Sequence, residues 1–578
     1  MLIRLLRERL VPYRRWLAVV VGLQFVSVLA MLYLPSLNAE IIDDGVATGD
    51  TAMIWRLGGE MLAISVAQIC ASIGAAWFGA RAAAAFGRDL RRDLFHRIGG
   101  YSTREVQQFG APSLITRTTN DVQQVQMIVV MGSLIAASAP IMMIGGVIMA
   151  LREDAGLGWI LAVVVPVLLL SVGFLVTRMI PGFRSMQARI DEVNRVLREQ
   201  ITGIRVVRAF VREPYENERF AVANRDLTGD AVRAGRWQAT MFPMVMLVVN
   251  VASVAVIWFG GHRVDDGAVG VGALTAFLSY LMQILMSVMM ATFMLMQVPR
   301  AAVCADRIAE VLATDTSVVR PAQPRLPDPA LRGHLDLDDV VFTYPGAADP
   351  VLDGVSLRVR PGQTVAVIGS TGAGKSTLVN LVPRLFDATS GTVAVAGVPV
   401  DALDEESLWA ELGLVPQRAY LFTGTIRTNL QYGKADATED EMWDALAISQ
   451  ARDFVEALPQ GLDAPVAQGG TNFSGGQRQR LAIARAVVRR PGLYLFDDSF
   501  SALDLATDAR LRAALRPVTA QAGVVVVAQR VSTIRDADEI VVLEHGRVVG
   551  RGRHEELLAA CGTYAEIVDS QLSAEEVA

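Results

Sequence analysis

Six stretches of the first 300 residues, 17–37, 61–80, 128–151, 157–177, 239–261 and 272–298, contain no Asp, Glu, Lys or Arg. Each is long enough to cross a hydrocarbon layer that needs about 20 helical residues. In lipid a backbone must satisfy its polar groups within its own segment, so such runs have to be helices. Core helices of a soluble protein rarely keep charge out of six windows of this length. Composition points the same way. The chain is 52% hydrophobic and 19% charged, with a mean hydropathy of +0.37, whereas soluble domains carry about 25% charged residues. The basic N-terminus leads into a run of full spanning length, which differs from the short apolar core of a cleavable leader.

Arginine placement orients the spans. Five arginines precede the first span, seven lie between the second and third (Arg81 to Arg117) and twelve between the fourth and fifth (Arg178 to Arg236). The other three connections hold one each, Arg56, Arg152 and Arg263, and the first of these loops is acidic, with Glu40, Asp43, Asp44 and Asp50. Cytoplasmic loops collect positive charge, so both termini and everything after the last span face the cytoplasm of a multi-pass cell-membrane protein. The two arginine-rich connections, 81–126 and 178–238, are also long and carry apolar residues at helical spacing. They read as cytoplasmic extensions of the membrane helices.

After residue 312 the character changes. Four prolines in 313–333 mark a linker, and from 334 to 578 short strand-like runs alternate with helical patterns, as in an α/β domain with a largely parallel sheet. The fold class is an α-helical membrane domain (1–312) fused through that linker to an α/β P-loop nucleotide-binding domain. A buried strand from Thr364 runs into Gly369, Ser370, Thr371, Gly372, Ala373, Gly374, Lys375 and Ser376, which match G-x-x-x-x-G-K-[ST] in full. Such a loop wraps phosphates in backbone N–H groups, sets a lysine at the β/γ oxygens and offers a hydroxyl to Mg²⁺. The chain has only two lysines, Lys375 and Lys434, among 53 basic residues. Lysine retained here fits a site that needs a compact point charge. Farther on, an apolar strand ends in Asp497, the position that holds the metal in P-loop proteins.

The remaining composition mainly excludes. Cys70, Cys304 and Cys561 stand far apart and form neither a disulfide framework nor a metal spacing. A net charge of −6 argues against a nucleic-acid partner.

Between the loop and the metal strand lies Asn472-Phe-Ser-Gly-Gly-Gln477, which resembles the signature of ABC transporters. The resemblance then covers the whole order of parts and is similar to half-transporters of the type IV exporter fold. It implies that Tyr344 stacks on adenine, that ATP contacts continue to Thr377, and that Gln417 is the Q-loop glutamine beside Mg²⁺. It implies that Ser376, Gln417 and Asp497 form the metal shell, and that Ser501-Ala-Leu-Asp504 is the D-loop. Two nucleotide domains face head to tail in this family, so Ser474, Gly475, Gly476, Gln477 and Asp504 belong to the partner's ATP. Segments 199–210 and 109–112 resemble coupling regions.

Two positions depart from the family pattern. Asp498 stands where the catalytic glutamate belongs, one methylene shorter, which leaves its carboxylate about 1–1.5 Å short of the attacking water and can cost about 10²-fold in rate. Gln529 stands where the switch histidine belongs, and none of His96, His262, His334, His545 and His554 can replace it. Glutamine donates a hydrogen bond but carries no charge. Gln468 likewise replaces a glutamate that many exporters carry before the signature. Two readings follow: a homodimer with a slow ATPase, or the degenerate-site half of a heterodimer whose intact signature serves the partner. The second fits better, because the altered residues act on this chain's own ATP.

The absence of ionisable groups in the spans points to an amphipathic drug-like or lipid-like cargo. Nine methionines in the last two spans suit a surface that accepts varied apolar ligands, although methionine is also ordinary membrane filler. An importer on the same fold, or a sensor with an inert ATP domain, would share most of these features.

Overall fold

The computed structural model describes residues 1–575. It separates into two compact units, one made of Met1–Gly99 and Ala111–Thr314, the other of Gly100–Gly110 and the chain from Asp315 onward.

The first unit is helical. Its six long apolar helices are Val11–Val46, Thr51–Gly99, Ala111–Glu153, Ala155–Thr202, Glu213–Asp265 and Val271–Ala313. At 1.5 Å per residue, helices of 36 to 53 residues far exceed a bilayer. Most of the excess falls on the two arginine-rich connections, as expected from their periodicity. With no hydrophobic drive between helices in lipid, close packing depends on small residues. Gly146 meets this need: a Cβ there would lie 2.8 Å from Ile284 of the sixth helix. The buried Tyr280 satisfies its hydroxyl by donating to the Leu32 carbonyl over 2.8 Å.

The acidic connection after the first span is shorter than the sequence indicates. The first helix runs on through a π-helical turn at Ile41–Val46, which carries Asp43 and Asp44. Asp43 is used there as a cap. Its two oxygens accept from the backbone N–H groups of Gly272 and Ala273 at 2.7 and 3.1 Å, placing negative charge at the start of the last helix. Arg263, in the connection between the fifth and sixth spans, is paired with Asp154, Nε to Oδ2 at 2.6 Å and the second guanidinium nitrogen to Oδ1 at 3.0 Å.

The second unit holds two principal sheets. Strands β1 (Leu335–Phe342), β2 (Leu352–Val359), β4 (Ser390–Val395) and β5 (Val398–Pro399) form an antiparallel sheet in the order β2-β1-β4-β5. Strands β3 (Thr364–Gly369), β6 (Leu412–Val415), β7 (Leu493–Asp497), β8 (Gly523–Val527), β9 (Glu539–Glu544) and β10 (Arg547–Gly552) form the other, in the order β10-β9-β3-β8-β7-β6. All its pairings are parallel except the β10 edge. β7 and β8 are buried along their whole length, which explains why they read as unbroken apolar runs. The antiparallel sheet was not evident in the sequence. Its register slips between Leu337 and Val340 and again between Val340 and Phe342, so period-two alternation is broken.

The proline-rich segment has no long element, only the turn Pro329–Leu331, but it is not loose. The N–H of Arg325 donates to the Ala402 carbonyl at 2.8 Å, and that of Asp328 to the Ala396 carbonyl at 3.1 Å.

Candidate functional site

In a parallel sheet all strand C-termini open on one edge, and β3, β6, β7 and β8 deliver their functional side chains there. β3 ends at Gly369 and the helix Lys375–Leu381 starts six residues later. Gly374, between them, has φ +96°, and a Cβ on it would lie 2.7 Å from the Val351 carbonyl oxygen. Any other residue there would be both strained and crowded.

Lys375 folds back over its own loop, its Nζ donating to the Gly369 and Ser370 carbonyls at 2.8 Å each. Burial pulls the ammonium below its ordinary value, against the attraction of Asp498 and Asp497. The Ser376 hydroxyl donates to Oδ1 of Asp497 at 3.0 Å. Asp497 closes β7 at 6% exposure. Burial raises its carboxyl above the usual range; the Ser376 hydrogen bond opposes this, the neighbouring Asp498 charge adds to it, and Lys375 again opposes it. A hydroxyl and a carboxylate, both hard oxygen donors, match what Mg²⁺ takes from a protein when phosphate and water supply the rest. Among the described residues there is no cluster of three or more His, Cys, Asp or Glu that would suit a different metal.

Asp498 follows in the left-handed region, φ +47°, with its N–H on the Val527 carbonyl at 3.0 Å. This turn directs the side chain across the strand ends, where Oδ2 accepts from two amides. Gln529, beyond β8, donates at 2.9 Å, and Gln417, beyond β6, at 3.2 Å. The structure therefore gathers Lys375, Ser376, Gln417, Asp497, Asp498 and Gln529 into one cluster.

Tyr344 sits beside this cluster. Its hydroxyl is 3.1 Å from the Thr377 hydroxyl, and its ring stands edge-on to Phe342 and Phe386 at 4.8 and 5.6 Å. Ser474 opens the helix Gly475–Arg489 through a capping box: its Oγ accepts from the Gln477 N–H at 3.2 Å, while Gln477 Oε1 accepts from the Ser474 N–H at 2.9 Å. Ser474 and Gly475 are exposed, and a Cβ on Gly475 would meet nothing within 4 Å. Asp504 caps the helix Leu505–Val518, accepting from the Thr507 N–H at 2.9 Å.

Two residues not singled out in the sequence tie segments of this unit together. Glu105 lies on the short helix Thr103–Phe109, beside the proposed coupling segment, and is 3% exposed. It accepts from the Ser102 N–H and hydroxyl at 3.1 and 2.6 Å and from the Ser317 N–H at 3.2 Å. The S-x-x-E capping box Ser102–Glu105 was a readable signal for it. Gln571, on the C-terminal helix Gly562–Glu575, reaches the backbone of the Gln529 loop, and no motif announces it.

The chain matches the family model for the ABC transporter transmembrane region over residues 17–288 and that for the ABC transporter over residues 352–501. It is 53% identical over 574 residues to an uncharacterized ABC transporter ATP-binding protein of Mycobacterium tuberculosis, covering 99% of this chain and 98% of that one. It is 29% identical over 581 residues to the ATP-dependent lipid A-core flippase of Chromobacterium violaceum, covering 97% of each. A bacterial Atm1-family ABC exporter solved with ATP bound is similar at a TM-score of 0.77 and 25% identity, covering 98% of both chains.

Proposed function

The chain belongs to the ABC transporters as a half-transporter of the exporter fold, and on that premise we propose that it is the degenerate-site half of a heterodimeric exporter. Its own nucleotide site binds Mg²⁺ and ATP, through the loop Gly369–Ser376 and Thr377 with Tyr344 against the base, and turns ATP over slowly. Ser376, Asp497 and the carbonyl of Gln417 supply protein oxygens to the metal. Its signature, Ser474 to Gln477, with Asp504 behind it, completes the partner's site.

The observation that carries this reading is the Asp498 carboxylate with both glutamine amides on one oxygen. A general base must reach the water it activates. Here the acid is short, one of its oxygens is engaged twice, and the residue at the switch position supplies no positive charge toward a γ-phosphate. The exposed signature is intact, so the loss is confined to one side of the pair.

The cargo is an amphipathic drug-like or lipid-like molecule, moved outward. The charge-free spans support this, as does the likeness to a protein named as a lipid A-core flippase. The test is co-expression with candidate partner halves, purification and ATPase assay. The pair should hydrolyse ATP and this chain alone should be nearly inactive. Brisk hydrolysis by the isolated chain, abolished by Asp498→Asn, would favour a homodimer and reject the asymmetric assignment.

A further inference from the structure

The C-terminal helix Gly562–Glu575 is built as a fixed strut. Tyr564 is fully buried, its hydroxyl 2.7 Å from Nδ1 of His554. Thr563 donates to Glu544 at 3.1 Å, and Val568 is buried in the core. About two turns beyond Tyr564, the Gln571 side chain meets the loop that follows β8. Its Nε2 donates to the Gln529 carbonyl at 2.7 Å, and its Oε1 accepts from the Val531 N–H at 2.8 Å. One planar amide thus brackets Arg530 from both sides, as a neighbouring strand would.

The bracketed segment is anchored below by Ala528 and Val531, both buried in the core, but it supplies no cap of its own. Arg530 is the N-cap of the short helix Val531–Ile534 and provides no side-chain cap. The Gln571 oxygen does that work from 40 residues away in sequence. The segment faces two functional neighbours. The Gln529 side chain donates to Asp498, and the Arg530 guanidinium donates to the Leu503 carbonyl at 3.3 Å, one residue before Asp504.

We propose that Gln571 is a positioning residue for the nucleotide centre: by holding the backbone at Gln529 and Val531 it sets where the Gln529 amide meets Asp498 and where Arg530 meets the D-loop. It touches no reacting group and acts through Gln529. The C-terminal helix therefore belongs to the ATP site, and displacing it would loosen the hold on bound nucleotide. This rests on the reading that the site binds ATP.

The experiment uses the full-length chain, co-purified with its partner half into lipid nanodiscs and loaded with radiolabelled ATP and Mg²⁺. Retained nucleotide is followed after rapid desalting, with a thermal melt of each variant beside it. Gln571→Ala should shorten the lifetime of bound ATP about three- to tenfold, the scale of one or two net hydrogen bonds, at an unchanged melting temperature. Gln529→Ala should do the same, and the double variant should be no worse than the more affected single one, because one effect runs through the other. Gln571→Glu keeps the acceptor for Val531 but turns a carboxylate on the Gln529 carbonyl, so it should behave like Gln571→Ala. Wild-type lifetimes for Gln571→Glu would reduce the residue to a helix cap and overturn the proposal. An unchanged lifetime in Gln571→Ala, or effects that simply add in the double variant, would also overturn it. Wild-type protein that retains no ATP would instead remove the nucleotide-binding reading, and the proposal with it.

Discussion

Gln529 donates from Nε2 to Oδ2 of Asp498 over 2.9 Å. In this position a histidine would place a titratable ring, and a glutamate at 498 would carry its carboxylate farther over the strand ends. Restoring both with Asp498→Glu and Gln529→His should raise turnover at this chain's site by about tenfold or more, given that a 1 Å misplacement can cost about 10²-fold. The measurement is ATPase activity of the pair with the partner's own site inactivated. No gain over the parent would mean that these two positions do not limit the site.

Glu105 gives a pH-dependent prediction. Burial alone would push its carboxyl up, but hydrogen bonds from Ser102 and Ser317 outweigh burial and hold it below its ordinary value. A carboxyl lowered in the folded state stabilises above its unfolded pKa, and that contribution disappears as pH falls through the folded value. Glu105→Gln should therefore weaken protection of Gly100–Gly110 in hydrogen exchange at about pH 7. The difference from wild type should shrink as the pH falls below the ordinary glutamate range and through the lowered folded value, where both side chains become neutral. A difference that persists unchanged into acid would show that the charge is not what holds the segment.

On the other side of the spans, the Asp154 side chain is 4% exposed and accepts both guanidinium bonds from Arg263, which is 38% exposed. Asp154→Asn leaves a partly buried cation without its counter-ion. The expected cost is about 1–3 kcal/mol, below that of a fully buried pair because water still reaches the arginine. It should appear as a lowered melting temperature in detergent, and Arg263→Gln in the same protein should recover part of the loss.

What could be read from the sequence divides along physical lines. The spans were legible because hydrocarbon forbids charge. The phosphate loop was legible because its chemistry is local: Gly374 and Lys375 act within a few residues of each other. Asp498 and Gln529 could be identified as departures, but not as partners. Their bond crosses 31 positions and exists only because β7 and β8 are parallel neighbours. The acidic residues after the first span read as a loop, since nothing near Asp43 indicates that it caps a helix 229 residues away. Gln571 escaped for the same reason, as one polar residue on a surface helix.

The last prediction separates the two sides of this half. The exposed residues Ser474 and Gly475 begin the helix Gly475–Arg489, and in the proposed pair they approach the partner's γ-phosphate rather than this chain's. Gly475→Asp would set a carboxylate against that phosphate. At an effective dielectric of 20, two like charges 4 Å apart repel by about 4 kcal/mol, enough to cut the pair's ATPase by roughly a hundredfold or more. Asp498→Asn in the same chain removes only an already weak base and should change the pair's ATPase less than about threefold, as an effect below 1 kcal/mol would. Both variants should be assayed in the purified pair, with the partner unaltered. If Asp498→Asn proves as damaging as Gly475→Asp, hydrolysis depends on both sites equally and the asymmetry is wrong.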